Sequence, residues 1–596
     1  MTDSVYLLKP ATIIALPYNT LLDINKHLVL DSIILLTGLN QNLGDFLQNQ
    51  SQVFIKNYGP GQLASLSMRG GSAHHTPLLW NGFNLQNPML GQVDLSLFPA
   101  FFFNRIQINY GSNSGLFGSG AIGGNINIET TQNFDNIFSG KIIAGYHSNN
   151  VYTSGASINL KHNKIFGGLK LLYAGGPNNY TFLNDFKKPN IKENANHAAF
   201  NQYALLANIG SQISNQSSLQ FHTWVQQSSR KIQPPIATAN TFPVQDDAAK
   251  RFMLDYKFEK SRYRLQIRNG TFFDEINYSS LATPLSQSKT LVQTIFTDQY
   301  FSIKSSLLHV GTMYQYEQVN ATAMDNKHRN RVALFTSYRW YGLNHKLTQQ
   351  IILRQETADG QLLPFIPNYN AELVLSKQLK IMANVSRVFR LPTFNDLYWP
   401  VLGNINLKPE EGWCTELSSE LKYNGIGITA TLYHKNISNW IIWIPDENGL
   451  FRPQNIKKVW SRGAEANWNL KVWEGYGKIT ASGLHDFNLA TDEKEKQLIF
   501  TPRLRHNFNF GWQFKNFNFT INHRYTGVSF SSNDHTSWLM PFNITNVYAS
   551  YFLILKNNKS LHTQLACNNV FNKHYMYIPA RPMPLINYQI NLTLNF

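Results

Sequence analysis

Between residues 136 and 596 the chain repeats one pattern: runs in which apolar and polar residues alternate, each closed by a polar turn. In residues 252–258, Phe252, Leu254, Tyr256 and Phe258 fall on one side of an extended chain, with Met253, Asp255 and Lys257 on the other. After the turn Glu259-Lys260-Ser261 the run resumes with Tyr263, Leu265 and Ile267 against Arg264, Gln266 and Arg268. This is a hairpin with one greasy and one charged face. A soluble β-sandwich alternates too, but it closes over a core of about 100 residues, far fewer than this repeat supplies. A closed sheet with its apolar face toward lipid and its polar face toward a lumen accommodates the whole repeat.

Aromatic residues make up 13% of the chain, with 28 Tyr and 39 Phe, which suits the two interfacial girdles of a membrane barrel. Mean hydropathy is −0.28, and no run of about 18 apolar residues exists, so a transmembrane helix is excluded. Strands escape that test, because alternation averages the hydropathy away. Long polar connections are expected at residues 182–200, which carry Asp185, Lys187, Lys188, Pro189, Lys192 and Glu193, and at residues 228–250, which carry Pro234-Pro235 and Asp246-Asp247. Other connections span two to four residues, giving one short-turn and one long-loop side. The last strand alternates Tyr588, Ile590, Leu592, Leu594 and Phe596 with Gln589, Asn591, Thr593 and Asn595. Length alone permits a strand number from the high teens to the mid twenties.

Residues 1–135 differ. They are rich in Gly and Asn and carry five Lys/Arg against seven Asp/Glu, leaving a net charge of +19 on residues 136–596. The basic residues are dispersed rather than clustered, which argues against nucleic-acid binding and suits lipopolysaccharide contacts, basic turns or an anion-attracting lumen. Two cysteines, Cys414 and Cys567, build neither a disulfide framework nor a zinc site. Met1-Thr2-Asp3 opens without a basic region or long apolar run, so no signal peptide is visible.

No catalytic constellation stands out. There is no HExxH, no Walker loop and no nucleophile elbow; residues 111–115 read G-S-N-S-G, with Asn113 where a nucleophile would stand. Gly118, Gly120 and Gly123 have dinucleotide-binding spacing, but residues 125–129 alternate like a strand and position 143 is Ile, so that reading fails. His74-His75 is adjacent and, in a strand, would point to opposite faces, so no metal site is expected. An enzyme, a cofactor and a resident metal are accordingly not expected.

Residues 43–130 resemble the plug domain of TonB-dependent receptors. The matching features are an opening helix at residues 43–48, Arg69-Gly70, a strand and tight turn ending in Asn81-Gly82, residues 105–108 (RIQI), and residues 118–126 (GSGAIGGNI). Gly82 also has a physical role there, supplying the positive φ of a tight hairpin. Residues 56–61 and 89–94 are similar to a branch common among Bacteroidetes, of cobalamin or siderophore uptake. In the barrel, residues 388–398 (VFRLPTFNDLY), Arg462-Gly463-Ala464-Glu465, Arg524-Tyr525-Thr526-Gly527 and residues 568–575 (NNVFNKHY) resemble later signatures of the family.

The resemblance covers residues 30–596. It implies an all-β membrane barrel: a 22-stranded antiparallel transmembrane β-barrel at 136–596, with an α+β plug at 31–135 inside it and an extended segment at 1–30. Residues 4–15 of the extended segment would hold the box gripped by the TonB energy-coupling protein and its inner-membrane motor, at Leu8, Lys9, Pro10, Ala11, Thr12, Ile13 and Ile14. Residues 30–35 (LDSIIL) are the rival, though their place beside the plug suits its first strand. Two plug arginines, Arg69 and Arg105, would pair with barrel carboxylates, with Glu410, Glu416 and Glu465 as partners. Substrate would rest on outward plug loops at 56–61, 86–89 and 98–101, on Lys56, Asn57, Tyr58, Gln86 and Asn87. The implied function is active import of a scarce metal complex, a corrinoid or a ferric siderophore, across the bacterial outer membrane by a monomeric barrel. A passive or adhesive surface barrel is the other class, and it would lack the module at 43–130.

Overall fold

The alternating runs fold as strands that take a neighbour on each side until the sheet meets itself. The computed structural model describes residues 24–130, 137–236, 238, 241–445, 450–474, 477–557 and 559–596. Within these, the strands from Phe138–His147 round to Asn587–Asn595 make one closed antiparallel barrel of 22 long strands; a two-residue strand, Gln361–Leu362, hairpins onto the end of one of them. Closure pairs the last strand with the first, Ile590 facing Tyr146 and Leu592 facing Ala144. Phe596 completes the seam by exchanging backbone hydrogen bonds with Gly140 (2.7 and 3.0 Å), and its ring occupies the space that a side chain at position 140 would need.

The two faces of each strand divide as the alternation requires. Leu254 and Ile267 are about 40% exposed on the outer wall, while Met253 and Arg268 on the inner face of the same hairpin are buried. Cations and carboxylates that point into the lumen pair with one another, as in Arg268–Asp298 (2.8 Å), Arg331–Glu356 (2.6 Å) and Arg354–Glu356 (2.8 Å). Such pairing lets a polar inner face be covered by a plug without stranding a charge.

The two rims differ. Turns of two to five residues close one, for example 163–164, 261–262, 304–305 and 555–559, whereas connections as long as 177–199 and 391–409 close the other. The first long connection folds its own small hairpin, Thr181–Asn184 with Ile191–Asn194. The second connection expected from the sequence, 228–250, is shorter than its composition suggests. The strands Ser217–Lys231 and Val244–Lys260 run on through Ser228 and Asp246-Asp247, because Asp247 faces Arg230 across the lumen wall at 3.1 Å. A paired carboxylate is as good a strand residue as any polar one.

Inside the barrel, β1 (His27–Leu30), β4 (Leu78–Trp80), β5 (Phe83–Asn84), β6 (Arg105–Tyr110) and β7 (Gly124–Glu129) form a mixed sheet in the order β1-β6-β7-β4-β5; β2 (Phe54–Asn57) and β3 (Ala64–Ser67) pair separately. Asn81 and Gly82, both at positive φ (47° and 92°), turn β4 into β5. The helix Leu43–Gln50 starts at Asn42, whose side chain accepts from the Asp45 amide (2.9 Å). The plug core does not end at the plug. Trp224, a barrel residue with no exposed surface, packs edge-on against Trp80 (5.5 Å), Phe98 (5.3 Å), Phe102 (5.7 Å) and Phe103 (6.0 Å). Phe272 and Phe296 meet Phe83 in the same way.

Replacing Trp224 by Ala empties the point where these rings converge. Denaturant unfolding of the detergent-solubilised protein is expected to show a loss of about 3–5 kcal/mol. Leu432→Ala, on the lipid-facing wall at 61% exposure, should cost under about 1 kcal/mol. Equal losses at the two sites would contradict a shared plug–barrel core.

Candidate functional site

The densest charged contact between plug and wall gathers around Arg69. Arg69 follows β3 at φ +50° and Gly70 follows at φ +74°, two successive left-handed residues that swing the guanidinium sideways. Gly70 tolerates no side chain, since a Cβ would stand 2.5 Å from the Ala490 Cβ of the barrel. Arg69 forks onto Glu465 through Nε (2.9 Å) and Nη2 (2.7 Å) and reaches Glu416 through Nη1. Lys26 joins Glu465 at 2.6 Å and donates to Gln52 at 3.1 Å. The Tyr433 ring lies 4.6 Å from the guanidinium carbon. The Arg69 carbonyl accepts from Ser461 (2.7 Å) and Lys435 (3.2 Å). Burial pushes the Lys26 ammonium below its ordinary range while Glu465 pulls it back. Two plug cations thus face two barrel carboxylates in a buried site, with the Lys435 ammonium of the barrel beside them.

The other expected pairings differ. Among the described residues, Arg105 reaches no barrel carboxylate. It stands directly across from Glu129 in the β6–β7 register, 3.7 Å away, and that neighbour takes its charge inside the plug. Glu410 does reach the plug, but through His75 Nε2 (2.6 Å) instead of an arginine, while Arg390 of the barrel (2.8 Å) and the Ile441 amide (2.8 Å) fill its remaining lone pairs. His74 and His75 lie in a 3-10 turn, residues Ala73–His75, not a strand. Burial and the neighbouring Arg390 push His74 down to about 3. Among the described residues no cluster of three metal-ligating side chains occurs. Residues 8–14 lie outside the described residues.

Sequence reasoning missed several plug–wall contacts. Lys170 caps the carbonyls of Phe101 (3.4 Å) and Phe102 (3.0 Å), Arg230 holds Asp94 (2.6 Å), and Arg505 holds the Gln52 carbonyl (2.8 Å). Each is a polar residue on the lumen phase of its strand, a signal that gives the face but not the partner. The long loop 391–409 also grips the plug, its helix Phe394–Tyr398 donating the Phe394 and Asn395 amides to the Pro88 and Met89 carbonyls (both 3.2 Å).

The residues expected to meet substrate divide into pins and lining. Asn57 accepts from the Gly59 amide (2.9 Å) and donates to Asp45 (3.2 Å). Gln86 ties the carbonyls of Ala73 (3.1 Å) and Gly91 (3.0 Å), and Asn87 accepts from the Met89 amide (2.9 Å). These hold loops in shape. Lys56 lies 5.8 Å from the Phe500 ring, with burial lowering its ammonium pKa. Phe98 and Phe101 are buried against the barrel's Trp224 and Lys170, and Phe98 and Pro99 each also line one of two clefts.

Two clefts open beside the plug. One, of about 370 Å³, lies around Tyr58 and Asn87; its Arg230 and Arg251 are faced by Asp247 (3.1 Å) and Asp274 (2.7 Å), and Arg581 stands over the Tyr58 ring at 5.4 Å. The other, of about 210 Å³, runs between the helix Leu43–Gln50 and the strands flanking the barrel seam. Amides line it: Asn40 and Asn42 from the plug, Asn149, Asn546, Asn569 and Asn587 from the barrel, with one carboxylate (Asp45) and one guanidinium (Arg524). Among the described residues, the five strands Phe542–Ile554, Ser560–Asn568, Asn587–Asn595, Phe138–His147 and Val151–His162 send the plug one side-chain hydrogen bond, from Gln564 to the Thr37 carbonyl at 3.4 Å. The plug is fastened on one wall and lies loosely against the other.

Removing Arg69 strands Glu416, while Lys26 still holds Glu465. Arg69→Met is expected to destabilise the folded protein by about 3–5 kcal/mol, and adding Glu416→Gln to it should recover most of that loss. Denaturant unfolding of the single and double variants measures this; additive losses would mean that the two side chains do not act as one cluster.

The family model "TonB dependent receptor-like, beta-barrel" matches residues 190–570, and "TonB-dependent Receptor Plug Domain" matches residues 34–125. The chain is 24% identical over 557 residues to the vitamin B12 transporter BtuB of Photobacterium profundum, covering 90% of this chain and 87% of the relative. It is 22% identical to the vitamin B12 transporter BtuB of Vibrio vulnificus, covering 87% and 82%. Among solved structures, the ferric enterobactin receptor PfeA of Pseudomonas aeruginosa superposes with a TM-score of 0.80 at 13% identity, over 96% of this chain and 99% of that one. The siderophore receptor PirA of Acinetobacter baumannii gives 0.79 at 14% identity, over 96% and 98%. With barrel and plug both matched, the chain belongs to the TonB-dependent receptor family of the outer membrane.

Proposed function

We propose that this receptor imports a corrinoid, drawing on the TonB protein for energy. The observation that carries the reading is the amide-lined cleft. A corrinoid ring is rimmed by neutral carboxamides, which pair with Asn side chains as donor and acceptor at once. The one carboxylate and one guanidinium of the cleft leave it without net charge, so it offers no field for a strongly anionic chelate. The BtuB relatives, by name vitamin B12 transporters, support the same class. A ferric siderophore is the second reading, favoured by Arg581, which faces the other cleft with no carboxylate within 4 Å among the described residues.

Coupling follows from where the ligand would sit. A ligand in the cleft would touch plug residues between 40 and 49, and contacts favouring a plug state with Lys26 released from Glu465 would couple the ligand to the N-terminal end of the plug. The expected box at Leu8–Ile14 would then become available to the partner below.

Uptake of radiolabelled cyanocobalamin and of ferric siderophores should be measured in a host lacking its own receptors and supplied with this chain behind a signal peptide, with its cognate coupling protein. Cyanocobalamin uptake is expected, and deleting residues 4–15 should abolish uptake while leaving surface binding intact. Asn149→Leu with Asn587→Leu should raise the half-saturating concentration about tenfold, the loss of one or two hydrogen bonds. Siderophore uptake alone would select the second reading. Uptake indifferent to the deletion would indicate a passive barrel.

A further inference from the structure

The short-turn rim is strongly and one-sidedly basic, a feature that neither the plug nor the clefts use. Of the nine short turns with described residues, eight carry an exposed Lys or Arg within two residues; the turn 215–216 is the exception. Lys161, Lys260, Lys304, Lys346, Lys515 and Lys556 are exposed, with no carboxylate within 4 Å among the described residues. Acids are few at this rim, and the principal ones are engaged: Glu259 binds Arg264, and Glu420 binds Lys380 and Lys422. The opposite rim has no such bias. Its loop 492–503, for instance, carries Asp492, Glu493 and Glu495 against Lys494, Lys496 and Arg503.

Two further observations show that the placement is specific. Lys304 and Lys515 sit at φ +53° and +49°, the left-handed turn position that Gly or Asn fills at less conformational cost. The turn holds an ammonium where a cheaper residue would close it. Beside these cations lies a ring of exposed aromatics on the outer wall, with Tyr423 at 57% and Tyr551 at 50%, and Phe514 adjoining Lys515. Such aromatics mark the interface of a bilayer, so the cations next to them stand at headgroup depth. Short turns face the periplasm in barrels of this kind, and the leaflet they meet is built of phospholipid.

We propose that this collar binds the phosphates of anionic phospholipids in the periplasmic leaflet and so selects a negatively charged lipid shell around the barrel. Lysine suits this role, being a hydrated point charge on a long stem that follows a moving headgroup. The inference stands apart from the import reading, since it concerns the outside of the barrel and needs no substrate.

The test uses the full-length protein reconstituted in phosphatidylcholine vesicles containing spin-labelled phosphatidylglycerol or spin-labelled phosphatidylcholine. The immobilised fraction of each label gives the relative affinity of the lipid shell. The wild type is expected to prefer the phosphatidylglycerol label about threefold at low salt, with the preference falling toward one in about 0.5 M salt. Changing Lys161, Lys260, Lys304, Lys346, Lys515 and Lys556 to Gln should remove most of it. Six matching Lys→Gln changes on the other rim (Lys187, Lys188, Lys192, Lys494, Lys496, Lys573) should leave it unchanged. Far-ultraviolet circular dichroism of both variants verifies folding. No preference in the wild type, or a preference that survives the collar changes or disappears with the control changes, overturns the proposal. Inorganic phosphate at millimolar concentration, added as a competitor, should not displace the labelled lipid; displacement would assign the collar to free phosphate and overturn the lipid assignment.

Discussion

Everything that makes this molecule a stoppered barrel depends on the ion cluster of Arg69, Lys26, Glu416 and Glu465. The aromatic contacts around Trp224 bury far more surface, but apolar contact is non-directional and tolerates sliding. A guanidinium forked onto Glu465 at 2.7 and 2.9 Å does not slide. The cluster therefore sets the position of the plug, while the core supplies most of its adhesion. Its charge pairing matters as much as its geometry: Glu416 and Glu465 come from barrel strands and Arg69 and Lys26 from the plug, so neither part is comfortable alone. Lys26 adds a second consequence, because it stands immediately before β1 and ties the start of the described plug to the same carboxylate that holds its centre.

Much of the fold was legible because a barrel writes itself in a period of two. Residues 252–268 show it: the outward residues Leu254 and Ile267 and the inward Met253 and Arg268 are assigned by alternation alone. The strand number came from the family resemblance, since strand length and loop length trade off and residue count decides neither. Where alternation misled, a lumen partner was the reason. Asp246-Asp247, downstream of the Pro234-Pro235 pair, looks like loop, and only the arginine on the neighbouring strand makes it strand.

The site was less legible. The Arg69-Gly70 pair stands out in the sequence, yet which carboxylates meet it depends on the register of strands more than 340 residues away. Arg105 illustrates the converse: a cross-strand neighbour 24 positions on, Glu129, takes it before any barrel residue can. Asn57, Gln86 and Asn87 resemble ligand hands because loop pins and ligand hands use the same amides. The His74-His75 pair and the lumen phase of Lys170 and Trp224 are visible in the sequence, but their partners emerge only when plug and wall are brought together.

The ring of aromatics around Trp224 has a consequence for inheritance. Trp80, Phe98, Phe102 and Phe103 belong to one unit of the sequence, and Trp224 belongs to the other. A plug grafted from a distant relative would bring rings shaped for a different wall and meet a tryptophan shaped for none of them. The boundary that looks like a convenient place to exchange parts is therefore a poor one. Lineages that shuffle loops freely on the outer rim should carry plug and wall together, and chimaeras cut between them need their facing aromatics exchanged as a set.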